Sequence, residues 1–290
     1  MKLSLAIDCF RRIYLNLRFC QQHMNTLDEI EFAMAGLRML LKELVGEKGL
    51  AYLFHRWEGE LYSVYLNYKA ANLIDNHRYK QALKYINESL EIYENDAITW
   101  YNKALCLGEL GLEAEAIKAS DRSLKLNPEY APAWCNKGLS LYNLGRTREA
   151  LNAYEKSLDI NSNRWTVWHN KGMAHLRLKE FSMSIEAFNK AIKLNPKKAA
   201  DWYLKGCALS GLGRLKEALR ANDKAVKLAP KDAEAWYDRA CLYALKNDKK
   251  NSLKLLSKAV KMNRKWKHYA KTDEDFLKYW GDKEFRKITA

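Results

Sequence analysis

The pentapeptide Trp-Cys-Asn-Lys-Gly at residues 134–138 returns 34 residues later as Trp-His-Asn-Lys-Gly at 168–172. At the same interval stand Trp-Tyr-Asn-Lys-Ala at 100–104, Trp-Tyr-Leu-Lys-Gly at 202–206 and Trp-Tyr-Asp-Arg-Ala at 236–240. The register runs back one unit further to Leu66, where Lys69 and Ala70 match the Lys-Gly pair. A fixed period of this length marks one supersecondary unit copied along the chain, each copy burying its apolar face against its neighbours. Six units begin at Ser63, Ala97, Ala131, Trp165, Ala199 and Ala233, with no insertions between them.

Each unit divides into two helices. In the first, a large residue is followed at i+4 by a small one and at i+7 by another apolar one, as in Trp134, Gly138 and Leu141. That spacing lines one helical face, and the small residue lets a neighbouring helix approach closely. Gly111, Gly145, Gly213 and Asn247 are expected to stop the first helix in a left-handed cap. The second helix carries a small residue at Ala82, Ala116, Ala150, Ser184, Ala218 and Ser252. Another follows seven residues on, at Ser89, Ser123, Ser157, Ala191, Ala225 and Ala259. Pro128, Pro196 and Pro230 end that helix, and Pro132 falls in the first turn of the next, where its missing donor costs nothing.

The aromatic, the Gly or Ala, the second-helix Ala and the closing Pro together resemble the tetratricopeptide repeat. The resemblance covers residues 63–266 and implies an all-α, right-handed superhelical solenoid of antiparallel helix pairs whose first helices line a concave surface. Leu66 in place of the aromatic and Ser162 in place of the proline depart from the pattern. Residues 1–62 read as an N-terminal helical segment: a cap, a degenerate repeat or a pair of self-association helices. Residues 267–290 break the register, and the starts at Thr272-Asp273 and Asp282 read as capping helices over the last repeat.

Composition narrows the class. The chain has 290 residues, of which 48% are hydrophobic, and only 4 are proline. Its six cysteines form no C-x-x-C pair, so they read as reduced, packed thiols of a cytoplasmic protein. Asp8, Arg11 and Arg12 interrupt the apolar N-terminus too early for a secretory core, and no stretch is apolar enough to span a bilayer. The formal net charge is +15, although residues 1–62 balance at 8 basic and 8 acidic side chains. No phosphate loop, nucleophile elbow or zinc-protease motif occurs, and no cofactor or metal is implied; an enzyme is not expected. Asp273 and Asp275 lack the glycine and the distal Glu of a calcium loop.

Candidate ligand-binding residues follow from the same register. The place after each tryptophan, filled by Tyr101, Cys135, His169, Tyr203 and Tyr237, should point inward, with Tyr142 further along the stripe. Leu105, Leu139 and Met173 on the same stripe are expected to pack repeat against repeat. The ladder Asn102, Asn136 and Asn170 offers amides that can pair with an extended peptide backbone, or else bond to local backbone; Tyr68, Leu204 and Asp238 break it in neighbouring units. A row of cations at Lys69, Lys103, Lys137, Lys171, Lys205 and Arg239 reads as an ion-pair row against Glu115, Glu149 and Glu217. The expected function is a protein–protein interaction scaffold that binds an extended or helical peptide segment of a partner through Tyr101, Asn102, Asn136, Tyr142, His169, Asn170, Tyr203 and Tyr237. The alternative is an RNA-binding repeat protein using its basic surface, which the sequence charge keeps open.

Overall fold

A computed structural model describes residues 50–290. Of the N-terminal helical segment expected over residues 1–62, residues 1–49 lie outside these residues. The described chain is built of helices with no strand among the described residues, and it divides into two compact units, with the chain boundary between Leu144 and Gly145.

The first unit holds α1 (Leu50–Asp75), α2 (Tyr79–Ile92), α3 (Ala97–Glu109), α4 (Glu113–Leu126) and α5 (Ala131–Asn143). Helix α1 is 26 residues long, so the first repeat begins within a helix rather than at a break. Its hairpin with α2 is tied where Ser89 Oγ donates to the Ser63 carbonyl at 2.9 Å, and one period later Ser123 Oγ donates to the Ala97 carbonyl at 2.7 Å. The small second-helix residues Ala82 and Ala116 are wholly buried, as close approach of paired helices requires.

The second unit holds α6 (Thr147–Ile160), α7 (Trp165–Arg177), α8 (Phe181–Leu194), α9 (Ala199–Gly211), α10 (Leu215–Leu228), α11 (Ala233–Leu245) and α12 (Lys249–Met262). Helix α13 (Trp266–Ala270), a 3₁₀ turn (Glu274–Tyr279) and α14 (Lys283–Thr289) complete it. Ser184 and Ser252 stand where alanine stands elsewhere; each is fully buried, and each hydroxyl donates at 2.9 Å to the carbonyl of the small first-helix residue, Gly172 or Ala240. The hydroxyl is therefore satisfied inside the hairpin and does not cost an orphaned polar group. Asp273 caps the 3₁₀ turn and Asp282 caps α14. Trp266, Phe276 and Phe285 from this C-terminal segment pack with Leu253 and Leu256 into one apolar cluster that covers the last repeat.

Two recurrent devices set the hairpins. Gly111, Gly145, Gly213 and Asn247 adopt φ between 62° and 79°, and the same left-handed place is filled by His77 and Lys179 at 57° and 59°, which the sequence pattern did not single out. The second device is the tryptophan row. Each indole donates to the carbonyl six residues earlier, of Glu94, Pro128, Ser162, Pro196 and Pro230, at 2.7–3.1 Å. The bond fastens the end of one second helix to the start of the next first helix. Because it uses a backbone carbonyl, Ser162 serves as well as proline.

Candidate functional site

In the first unit the amide row is already partly engaged. Asn67, 2% exposed, accepts through Oδ1 from Asn102 Nδ2 at 2.9 Å. This pair borders a cavity of about 280 Å³ with Tyr68 and Asp75. One repeat on, Asn136 is half-buried and its Nδ2 has no hydrogen-bond partner among the described residues. Tyr101 stands edge-on to Tyr130, with ring centroids 5.3 Å apart and planes at 87°. Tyr142 is half-buried, and Leu139, expected to be packed away, is exposed.

In the second unit His169 and Asn170 are half-buried. The His169 Nδ1 lies 2.5 Å from Oδ1 of Asp201, a carboxylate with no exposure at all, and the ring meets Trp165 and Phe188 edge-on. Tyr203 is half-buried, with its hydroxyl 3.4 Å from Glu234 Oε1 and facing Asp238; burial pushes the phenol far above its ordinary range. Tyr237, expected on the open stripe, is 4% exposed and belongs to the core. It stacks on Trp266 at 4.3 Å and donates to Asp273 Oδ2 at 2.6 Å, so the C-terminal segment covers it. The covering residues lie 29 to 39 positions downstream, from the end of the last repeat into the segment that breaks the register.

The cation row makes ion pairs mostly with acids other than those expected, although Glu217 acts on Lys205. Lys137 meets Asp121 at 2.7 Å, Lys171 meets Glu155 at 2.9 Å, and Arg239 pairs with Asp223. Glu149 and Glu217 bind Arg146 and Arg214, the residues that precede their own helices. Lys103, Lys137, Lys171 and Lys205 also lie over the faces of Trp100, Trp134, Trp168 and Trp202, 5.1–5.7 Å from the ring centres. Each such contact is worth about 0.5–1 kcal/mol at a partly exposed site. Burial lowers the affinity of Lys103 and Lys205 for their protons.

A cavity of about 400 Å³ lies between α9 and α11, floored by Asn222 of α10 and closed on one side by Asp275. Around it burial pushes the Cys207 thiol up to about 12 and the Asp238 carboxyl up to about 7, and holds Cys241 well above its usual value. These thiols stay protonated and are poor nucleophiles at neutral pH. Ligand atoms of Cys241, Asp273 and Asp275 lie within 4.8 Å of one another, a spacing a metal could bridge. Both oxygens of Asp273 already accept hydrogen bonds, Oδ1 from the Asp275 amide at 3.0 Å and Oδ2 from Tyr237 and Cys241. That carboxylate is committed to holding the C-terminal segment. The sequence signal for this cavity was Asp238 breaking the asparagine ladder.

Models of the tetratricopeptide repeat match residues 97–130, 131–164, 165–198 and 203–265, together more than half of the chain. The chain belongs to the tetratricopeptide repeat family. It shares the family's all-α solenoid class, with helices in consecutive packed pairs. No curated protein sequence matches it. Among solved structures, YrrB, a tetratricopeptide repeat protein "with an unusual peptide-binding site", is 23% identical with a TM-score of 0.56, over 64% of this chain and 97% of that one. PilF of Pseudomonas aeruginosa is 17% identical with a TM-score of 0.60, over 81% and 98%. MamA of Desulfovibrio magneticus RS-1 is 22% identical with a TM-score of 0.56, over 58% and 96%. At these identities the likeness bears on the fold alone. The tetratricopeptide repeat matches take in Asn102, Asn136, His169, Asn222 and Asp238, while the pair α1–α2 and the C-terminal segment lie outside them.

Proposed function

We propose that this chain is a non-catalytic scaffold that holds a peptide segment of a partner protein against the first-helix faces of its repeats. Family membership supports the coarse statement of a protein-interaction scaffold. The observation that carries the finer one is Asn136, whose amide donor is unpartnered in a row where Asn102 is already bonded to Asn67. That donor is shut from solvent in the free chain, and an extended peptide backbone supplies the acceptor it needs when the Asn136 side chain turns outward. In the first unit Tyr101 and Tyr142 offer aromatic contact area with few rotatable bonds; in the second Tyr203, His169 and Asn170 offer an uncharged face of their own, with Tyr237 packed in its core. YrrB, a tetratricopeptide repeat protein with a peptide-binding site, is consistent with this use of the fold.

The charge distribution favours a protein over RNA. The cations nearest the first-helix faces are held by Asp121, Glu155 and Asp223, while Lys193, Lys227, Lys258 and Lys261 are exposed on second helices. A solvated charge row there keeps a protein soluble without forming a phosphate-reading groove. No helix among the described residues is long and apolar enough to cross a membrane. Cys106, Cys135, Cys207 and Cys241 are free thiols, which fits a cytoplasmic setting.

The test is affinity capture after nuclease treatment, read by mass spectrometry, with the native chain beside an Asn136→Ala, Tyr142→Ala variant. Defined proteins captured by the first and lost from the second support the groove. Capture that disappears with nuclease would favour RNA, and an unchanged set of proteins would move binding to another surface.

A further inference from the structure

The cavity between α9 and α11 has a cause in the repeat register. The same place in the second helix is filled by Ile86, Ser120, Tyr154, Phe188, Asn222 and Leu256. In the fourth repeat Phe188 is fully buried beneath Gly172, so tightly that a Cβ on that glycine would lie 2.8 Å from the ring. In the fifth repeat Asn222 takes this place beneath Gly206, and the space a ring would fill is left open.

What lines the opening is one-sided. Asn222 is 2% exposed; its Nδ2 donates to the Ala235 carbonyl at 3.1 Å, and its Oδ1 has no partner. Asp238 Oδ2 is also shut from solvent without a partner. Asp275 adds a second carboxylate, and no Lys or Arg lines the wall. Tyr203 and the thiols supply neutral donors to the carboxylates, yet Asn222 Oδ1 and Asp238 Oδ2 stay unpartnered and no cation is supplied, although buried polar atoms in folded proteins are otherwise paired. Leu242 and Leu245 give the same cavity an apolar side.

We propose that this cavity receives a single basic side chain, arginine or lysine, of the bound partner, an inference that rests on the peptide-binding reading above. The apolar wall takes the methylene stem, and Asp238, Asn222 and Asp275 take the charged head. A volume of about 400 Å³ suits a long side chain better than an ion, and Asp273, the third carboxylate a metal would need, is spent on Tyr237 and the Asp275 amide. The chain's net charge of +15 disfavours a long run of basic residues. The segment recognised therefore carries one basic residue in an otherwise uncharged stretch.

Recognition of this kind depends on pH. Asp238 faces Tyr203 and Cys207 from α9, Glu234, Cys241 and the capping Asp232 on its own side, and Asp273 and Asp275 from the C-terminal segment. All of these are acids or neutral groups, and burial leads in raising the Asp238 carboxyl to about 7. A cation binds the ionised form, so affinity falls as the pH drops from 8 to 6.

The experiment is selection of a random twelve-residue phage-displayed library on the full chain at pH 8, repeated on Asp238→Asn and on Asn222→Phe, which copies Phe188. Thermal melts confirm that each variant folds, and the near-isosteric Asp238→Asn keeps the test open if Asn222→Phe does not. The expected result is selected peptides with Arg or Lys at one fixed position, binding about tenfold or more weaker to Asp238→Asn and at pH 6, the range for a charged hydrogen bond. Peptides selected without a basic position would overturn the cavity assignment and leave the groove standing. Failure to select any peptide would remove the groove reading and this inference together. Zinc chloride titrations that show tight binding lost in Asp275→Asn would assign the cavity to a metal and overturn the proposal.

Discussion

The fourth and fifth repeats share one register and differ in what lies beneath the first helix. In the fourth, Gly172 admits the Phe188 ring, whose edge contact with His169 makes the hairpin solid. In the fifth, a Cβ on Gly206 would lie 3.4 Å from the Ala218 carbonyl and 3.8 Å from the Ala221 Cβ and the Asn222 amide, and a cavity opens toward Asp238. One second-helix residue therefore decides whether a repeat is core or pocket, with the helix pairing unchanged. The solid repeat gains dispersion and burial. The hollow one gives these up and holds a carboxylate where water cannot solvate it fully.

The largest effect should come from emptying the solid repeat. Phe188→Ala removes a fully buried ring that touches His169 and the Gly172 backbone. It should cost about 3–5 kcal/mol in urea unfolding, because the closely packed hairpin cannot collapse around the space. Asn222→Ala, which deletes a smaller group from a site already hollow, should cost much less. Equal losses would mean that the two repeats are packed alike.

Next in size is the penalty carried by the hollow repeat. The Asp238 carboxyl is raised to about 7 by burial first, with Glu234 and Asp273 adding to it. The native state therefore holds a proton that the unfolded chain, with an Asp near its ordinary 3.9, has released. The sign follows: this stabilising term is complete below about pH 4 and is lost as the pH rises to about 7. Melting curves of the native chain and of Asp238→Asn should diverge across that window, the variant becoming relatively more stable by about 1–4 kcal/mol at pH 8. Parallel curves would place the carboxyl in water.

A smaller effect distinguishes the two glycines. Gly172→Ala pushes a methyl to within 2.8–2.9 Å of three ring atoms of Phe188 and should cost about 1–3 kcal/mol. Gly206→Ala makes only ordinary contacts and should be neutral, or gain up to about 1 kcal/mol from helix propensity. Combining Gly172→Ala with Phe188→Ala should recover most of the first loss, since the clash has one partner.

Much of this comparison is legible in the sequence, and the limits are physical. The helix pairs follow from small residues at Ala116 and Ala150 and from glycines at the stops, because both signals are local and recur. The asparagine row was visible, but its pairing of Asn102 with Asn67 depends on a neighbouring helix. Tyr237 reads as an open-stripe residue because its cover, Trp266 at the end of the last repeat and Phe276 beyond it, has no counterpart in the other repeats. The cavity needed Asn222 to be compared with Phe188 and Tyr154, a second-helix column that carries no conspicuous motif.

The turn that follows each first helix gives the finest comparison. Lys179 closes the fourth repeat's helix at φ 59°, where Gly213 closes the fifth at φ 72°. Both make the same bonds: the amide of the left-handed residue reaches the carbonyl three back, and the next amide reaches five back, Glu180 to His175 and Arg214 to Leu209 at 2.9 Å each. The backbone satisfaction is identical, so the two turns differ only in the cost of placing a Cβ in left-handed space. That cost is about 1–2 kcal/mol, reduced for glycine by its larger loss of freedom on folding. Lys179→Gly should therefore stabilise by about 0.5–1 kcal/mol and Gly213→Lys should destabilise by a similar amount, both with unchanged dependence on urea. A loss from Lys179→Gly would show that the lysine side chain makes a stabilising contact that outweighs the strain.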